Sequence, residues 1–136
     1  MTLIIDSYAW IEFLTGGRKG PTVRHFLDSE DELVTPDIVL AEVARKFGRE
    51  RQAEPLVRGH LRAITALSSV APVTIEVALH ISNVDSELRG NARRRKLNPP
   101  SFADAVVLSF ARAFDGRVLT ADAHFEGLPS VEWIGS

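Results

Sequence analysis

The first residues constrain the fold most, because an apolar run at residues 3–5 ends directly on an acid, Asp6. A short stretch that is apolar at every position is typical of a central parallel strand, whose two faces are both covered. A helical pattern follows at once: Ser7 is a suitable cap residue, and the pattern extends to about Leu14. The start of the chain therefore predicts a buried strand, a carboxylate at its end and a helix directly after it.

The same alternation of short apolar segments and helical patterns continues along the chain. Further strands are predicted at residues 33–34, 70–73, 117–120 and 131–133. Further helices are predicted at residues 22–28, from 36 to 47 or 48 with Thr35 as its cap, and at 54–67, 75–89 and 101–114. This order predicts the α/β class, with a parallel sheet between helices. The sequence contains no internal repeat and no linker, so we expect a single domain over residues 1–136.

The charge balance excludes a generally basic nucleic-acid binder, because 16 basic and 18 acidic residues give a net charge of −2. If the partner is a polyanion, the positive charge must be local and the acids must have another task, such as holding a metal. The chain has no cysteine, which excludes disulfides, thiolate metal sites and cysteine nucleophiles.

No apolar run reaches the roughly 18–20 residues that a membrane span requires. The N-terminus lacks the basic segment and apolar run of a secretory signal. We therefore expect a cytoplasmic protein with no membrane partner.

Two acids follow predicted strands at the same edge of the sheet. Asp6 comes directly after the first strand, and Asp122 follows the strand at residues 117–120 with only Ala121 between. In open α/β sheets, ligands bind outside the carboxyl ends of the strands. Both carboxylates are therefore expected at the edge where a ligand would bind.

Asp104 lies on an apolar helical face, since Val107, Leu108 and Ala111 follow it at helical spacing. A buried, ionised carboxylate is costly unless it is paired or bound to a metal. Ser101 and Asp104 also fit the pattern of a helix start, in which both side chains cap the first turn. The local sequence leaves a capping role and a ligand role equally open.

Glu42 points away from the apolar stripe of its helix, with Arg45 and Lys46 three and four positions further on. An ordinary surface acid in helical ion pairs is therefore one interpretation. Glu42 also lies in the first two turns, from which it can reach the sheet edge. Carboxylates from separate segments would suit Mg²⁺ or Mn²⁺, which prefer oxygen ligands.

Four stretches that carry these acids resemble the PIN-domain nucleases, specifically the VapC-like toxins of type II toxin–antitoxin pairs. They are "IIDSYAWIEFL", "TPDIVLAEVARKF", "SFADAVVLSFARAF" and "RVLTADAHF", in the order found in that family. The resemblance implies an α/β/α sandwich with a mostly parallel sheet of short strands. It also implies Mg²⁺- or Mn²⁺-dependent cleavage of RNA phosphodiesters by metal-activated water. It assigns metal binding and catalysis to Asp6, Glu42, Asp104 and Asp122.

The resemblance further implies supporting residues and partners. Ser7, Thr120 and Ser101 match hydroxyl positions that would hydrogen-bond a metal ligand or water, although Ser101 also suits a helix cap. Many relatives carry another acid where this chain has His124, so a fifth acidic ligand is in question. The implied partners are substrate RNA, a cognate antitoxin whose segment crosses the active site, and a second copy in a homodimer.

A basic run precedes the helix that carries Asp104, at Arg93, Arg94, Arg95 and Lys96, and Arg89 could extend it. We interpret the run as a contact for the RNA backbone, whose phosphates lysine and arginine neutralise. The alternative is a solvated helix end.

Three other functions fit the same residues. An aspartyl phosphatase also has an acid after an apolar strand, but such enzymes commonly carry a second acid two positions later, where this chain has Tyr8. A PIN fold that binds RNA or a protein without cleaving is the non-enzymatic alternative. A stand-alone RNA-processing nuclease is the third.

Overall fold

The computed structural model describes residues 1–29 and 31–135, and its central element is a five-stranded parallel sheet. The strands are β1 (Thr2–Ile5), β2 (Glu32–Pro36), β3 (Ser69–Ala71), β4 (Arg117–Thr120) and β5 (Val131–Trp133). They lie in the order β3-β2-β1-β4-β5, and every neighbouring pair is parallel. The predicted parallel sheet and the central position of the first strand are therefore confirmed.

Helices connect the strands and cover the sheet. Within the described residues they are α1 (Ser7–Leu14), α2 (Gly20–Leu27), α3 (Asp37–Arg49), α4 (Glu54–Leu67), α5 (Ile75–Ala78), α6 (Ile81–Arg94) and α7 (Phe102–Ala113). A short 3₁₀ helix, Ala123–Phe125, follows β4. Helix α1 packs on α2 and α3, whereas α5 and α6 pack on α7. This arrangement confirms the predicted α/β/α sandwich. Every helix in residues 1–29 and 31–135 is too short or too polar to cross a bilayer.

The core surrounds β1, whose Leu3, Ile4 and Ile5 are fully buried together with Trp10 of α1. The Trp10 indole Nε1 donates a hydrogen bond of 3.0 Å to Thr35 Oγ1, at the end of β2. A buried indole needs such a partner, because an unpaired buried N–H costs free energy. The bond fixes α1 against the carboxyl end of the sheet.

The helix predicted at residues 75–89 is interrupted, so this prediction was wrong. Helix α5 ends at Ala78, and α6 begins at Ile81 after a tight turn in which the His80 N–H donates to the Val77 carbonyl. The turn contains neither proline nor glycine, so the local sequence does not signal the break. Both segments pack on α7, a long-range contact that the local sequence does not encode.

Residues 90–94 are helical, although the sequence predicted that the helix ends at about residue 89. The reason is a tertiary contact at Asn91, which is buried and donates from Nδ2 to the carbonyl oxygens of His124 and Glu126 at 3.3 and 3.4 Å. These bonds hold the last turns of α6 against the segment that follows β4.

Two predicted helix caps also differ. Asp6, not Ser7, caps α1: its Oδ1 accepts from the Ser7 N–H at 2.8 Å. Thr35 lies within β2, and the cap position of α3 is Pro36, which has no side-chain cap bond. In both places the strand runs directly into the helix.

Two glycines give opposite predictions for stability. A Cβ at Gly116 would overlap the carbonyl oxygen of Thr2, whereas a Cβ at Gly59 on α4 would meet open space. We expect Gly116→Ala to lower the free energy of unfolding by about 1–3 kcal/mol through overpacking. Gly59→Ala should raise it by about 0.5–1 kcal/mol, because alanine loses less backbone entropy in a helix. Urea denaturation of both variants measures the free energy of unfolding. Equal changes in the two variants would contradict the close contact between Gly116 and Thr2 of β1.

Candidate active site

The carboxylate of Asp6 is buried at the end of β1, with only 3% of the residue exposed. Its Oδ2 accepts a hydrogen bond of 2.8 Å from the hydroxyl of Thr120, at the end of the neighbouring strand β4. The same hydroxyl oxygen accepts a bond of 3.0 Å from the backbone N–H of Asp122. Thr120 therefore links the side chain of Asp6 to the backbone of Asp122, and its role in support of a metal site remains a prediction.

Asp122 contacts His124, two positions further along the chain. The His124 Nδ1 lies 2.9 Å from Asp122 Oδ1, which also accepts the His124 backbone N–H at 3.0 Å. The other ring nitrogen, Nε2, lies 2.8 Å from the carbonyl oxygen of Asn98. Both ring nitrogens thus have protein partners, and the ring links Asp122 to the loop before α7.

Asp104 has the capping role, one of the two that its sequence left open. Its Oδ2 accepts the Ser101 N–H at 2.9 Å, and Ser101 Oγ accepts the Asp104 N–H at 3.1 Å, which forms a complete capping box. The cap does not remove Asp104 from the cluster. One oxygen each of Asp104 and Asp122 and one ring nitrogen of His124 lie within 4.8 Å of one another.

Glu42 lies beside the other acids and not in the helical ion pairs that its sequence suggested. Lys46 pairs instead with Glu50, at 3.2 Å. Burial raises the pKa of Glu42, and the negative charge of Asp104 raises it further, while Arg45 opposes the shift. The first two turns of α3 thus direct this acid towards the sheet edge.

The electrostatics of the site reflect acids that are crowded and withdrawn from water. Burial raises the pKa of Asp6 to about 7 against the opposing hydrogen bond from Thr120, and the charges of Asp104, Asp122 and Glu42 contribute. Burial also raises the pKa of Asp104, against the capping bonds of Ser101. For His124, burial acts to lower the pKa, but its bonds to Asn98 and Asp122 prevail and raise it.

The structure therefore brings together all four acids that the sequence singled out, from β1, α3, α7 and the segment after β4. The hydroxyl of Ser7 acts on Glu42, whose pKa it lowers, whereas Ser7 reaches Asp6 through its backbone N–H. Ser101 serves the cap of α7. The metal-binding role of the four acids remains a prediction.

Two arginines of the predicted basic segment already form hydrogen bonds within the protein. Arg89 donates to Asp85 at 2.9 Å, and Arg95 donates to the Ala123 carbonyl and to Glu126, each at 2.6 Å. Arg93, Arg94 and Lys96 are exposed. RNA binding by this run remains a prediction.

Sequence reasoning missed the basic residues that border Glu42 on α3. Arg45, Lys46 and Arg49 line a cavity of about 340 Å³ that also includes Ser7 and Glu42. Two of them, at three and four positions after Glu42, had been considered only as ion-pair partners. The sequence signal that identifies them is their helical spacing from Glu42, a candidate site acid.

The donor set fits a hard divalent cation. The site offers carboxylate oxygens from four segments, and burial together with repulsion between the acids raises the pKa of Asp6, Glu42 and Asp104. Mg²⁺ and Mn²⁺ prefer such oxygen ligands and would offset this repulsion. A cation held there could activate water and stabilise charge on a phosphodiester.

Comparison with solved structures agrees with this fold. VapBC2 of Rickettsia felis, bound to a DNA fragment of its promoter, superposes with a TM-score of 0.71 at 14% identity, covering 100% of this chain and 99% of the other. VapBC-1 of nontypeable Haemophilus influenzae gives 0.70 at 16% identity, with 99% and 98% covered.

A third similar structure is VapC20 of Mycobacterium tuberculosis, a toxin that cleaves the sarcin–ricin loop. It gives a TM-score of 0.63 at 16% identity, with 96% of this chain and 98% of the other covered. At such low identities, these structures establish the shared fold alone. No curated protein matches the sequence.

The family comparison extends over nearly the whole chain. The PIN domain matches residues 3–130, a range that starts at β1 and contains all four acids. By this match, the chain belongs to the PIN domain family.

Proposed function

We propose that this protein is a Mg²⁺- or Mn²⁺-dependent endoribonuclease, and the toxin of a VapBC-type toxin–antitoxin pair. The observation that carries the proposal is the convergence of Asp6, Glu42, Asp104 and Asp122 at the carboxyl edge of a parallel sheet. PIN family membership supports nuclease chemistry, and the similar VapBC complexes support an antitoxin partner. The cleaving activity of VapC20 supports RNA as the substrate.

In the proposed reaction, water adds to phosphorus and the bond from phosphorus to the 3′-oxygen breaks. The products are a 5′-phosphate and a 3′-hydroxyl. A divalent cation held by the four acids would supply activated water and charge stabilisation. Thr120 holds Asp6 and the backbone of Asp122 in place, and Asp104 is fixed by its capping box.

The arrangement argues against an aspartyl phosphatase. Asp6 would have to attack phosphorus, yet its carboxylate is buried and both oxygens accept hydrogen bonds, from the Ser7 N–H and the Thr120 hydroxyl. Tyr8, which replaces the second acid of such enzymes, is exposed.

A homodimer, a single domain over residues 1–136 and a cytoplasmic location remain predictions.

Removing one carboxylate charge from the cluster should abolish cleavage. We expect Asp6→Asn and Asp104→Asn to lose Mn²⁺-dependent cleavage of total RNA while remaining folded, because a metal ligand is lost. Asp28→Asn, an exposed acid at the end of α2, is the matched control and should keep full activity.

Gel analysis of RNA with Mn²⁺, with EDTA, and with Mn²⁺ restored measures this outcome. Cleavage that persists in EDTA or in both site variants would contradict the proposal. A wild-type protein that binds RNA but never cleaves it would favour the non-catalytic alternative. If the wild type cleaves RNA and no antitoxin encoded beside it inhibits the cleavage, a stand-alone processing nuclease is favoured.

Thr120 should act as a positioning residue. Thr120→Val removes the hydroxyl that joins Asp6 to Asp122 and keeps the side-chain shape, so we expect Mn²⁺ affinity to fall by roughly 10–100-fold. Thr120→Ser retains the hydroxyl and should restore most of the affinity. Calorimetric titration with Mn²⁺ provides the measurement, and wild-type affinity in Thr120→Val would exclude this role.

The buried acid should make the metal-free protein less stable as the pH rises. The pKa of Asp6 is about 7 in the folded protein against an ordinary value of 3.8, so the folded state binds this proton more tightly. The resulting stabilisation is complete below the ordinary value and is lost as the pH rises through about 7. This loss corresponds to about 4 kcal/mol at most, at 1.36 kcal/mol for each pKa unit.

Asp6→Asn should therefore unfold at a higher temperature than wild type at about pH 8 in EDTA, and the gap should shrink towards about pH 4. Added Mn²⁺ should raise the unfolding temperature of wild type more than that of the variant. Thermal unfolding in a pH series records both effects. Parallel curves of unfolding temperature against pH for the two proteins would show that Asp6 does not cause this loss of stability.

A further inference from the structure

We propose that the cavity beside Glu42 binds a backbone phosphate of the substrate RNA next to the cleaved bond. We call this cavity the α3 cation pocket and define its cationic wall by Arg45, Lys46 and Arg49. The inference rests on the proposed ribonuclease function and deepens it by assigning the substrate path. It differs from the basic run at the C-terminal end of α6, which the sequence suggested as the RNA contact.

The position of the pocket is the first argument. Ser7 and Glu42 form its inner edge, and Ser7 directly follows Asp6, so the pocket opens beside the acid cluster. Its volume of about 340 Å³ falls within the range of about 300–1,000 Å³ typical of small-ligand sites. A nucleotide bound there would adjoin a phosphate placed at the acids.

The charge of the pocket is the second argument. Glu42 and Glu50 line the pocket together with the three cations, and Lys46 pairs with Glu50. Across the described part of the chain, neither Arg45 nor Arg49 forms an ion pair with a carboxylate. Both arginines are exposed and lie one helical turn apart on α3. Arginine suits phosphate recognition, because its planar fork donates two parallel hydrogen bonds.

The need for local positive charge is the third argument. The chain as a whole carries −2, and its acids crowd at the sheet edge, so the general field of the protein does not attract RNA. Cations adjacent to the acids would hold the backbone on both sides of the reacting phosphate. Arg93 and Arg94, at the end of α6, form a second exposed basic pair.

The nature of the lining favours RNA over a protein segment as occupant. Besides Ser7 and the charged residues, the pocket wall contains a single apolar residue of the described chain, Ile11. Protein segments bind mostly through apolar anchors, whereas phosphate contacts dominate nucleic-acid affinity. Occupation of the pocket by an antitoxin segment is the alternative, which the test distinguishes.

The experiment measures RNA binding by fluorescence anisotropy over a range of salt concentrations. The probe is a fluorescein-labelled single-stranded RNA of mixed sequence, and the parent protein is the whole chain with Asp6→Asn. We compare Arg45→Gln/Arg49→Gln with the matched pair Arg58→Gln/Arg62→Gln, two exposed arginines of α4. Both pairs remove the same charge from a helix surface. Arg93→Gln/Arg94→Gln forms a third arm.

We expect the α3 pair to weaken RNA binding at least tenfold. The slope of log K against log salt should become shallower by about 0.7, since each neutralised phosphate of a single strand contributes about 0.7. The α4 pair should leave affinity and slope as in the parent. In the active background, the α3 pair should raise KM with kcat nearly kept, as for loss of uniform substrate binding.

The inference would be overturned by an unchanged salt slope in Arg45→Gln/Arg49→Gln, by loss of binding confined to Arg93→Gln/Arg94→Gln, or by loss of antitoxin inhibition with RNA affinity intact. Absence of RNA binding by the parent protein would do the same. Failure of the proposed function is distinguishable. If wild type never cleaves RNA but the α3 pair loses binding as expected, the phosphate site stands and the ribonuclease assignment falls.

Discussion

The hydrogen bond from the Thr120 hydroxyl to Asp6 is the interaction on which the site depends. It joins the ends of two adjacent parallel strands, and the same oxygen accepts the backbone N–H of Asp122. A carboxylate this deeply buried is tolerated only with such partners. Because the Thr120 hydroxyl serves both acids, the register of β1 and β4 determines the geometry of the site.

The other acids join this pair through helices that begin at the same edge of the sheet. Asp104 is held by the capping box of α7, and Glu42 extends from the second turn of α3. Capping and clustering are compatible, because a carboxylate has two oxygens and the cap uses Oδ2. Burial raises the pKa values of Asp6 and Asp104, the repulsion between the gathered acids adds to the shift, and a divalent cation would relieve this repulsion.

Local patterns predicted the elements well where hydrophobic periodicity and turn chemistry agreed. The five strands, the central place of β1 and the capping box at Ser101 all follow from short-range sequence. Predictions failed where distant contacts decided. The break between α5 and α6 has no local signal, and the last turns of α6 are helical because Asn91 binds carbonyls of the segment after β4.

The sequence by itself determined the class of fold and which acids stand at strand ends, since both follow from periodicity and the order of elements. Only the tertiary structure decided that Glu42 faces the cluster, that Lys46 pairs elsewhere, and that His124 links Asp122 to Asn98. The same holds for the cavity that α3 forms beside Ser7. Helical spacing defines which residues share a face, but the packing of that helix on the sheet determines what the face meets.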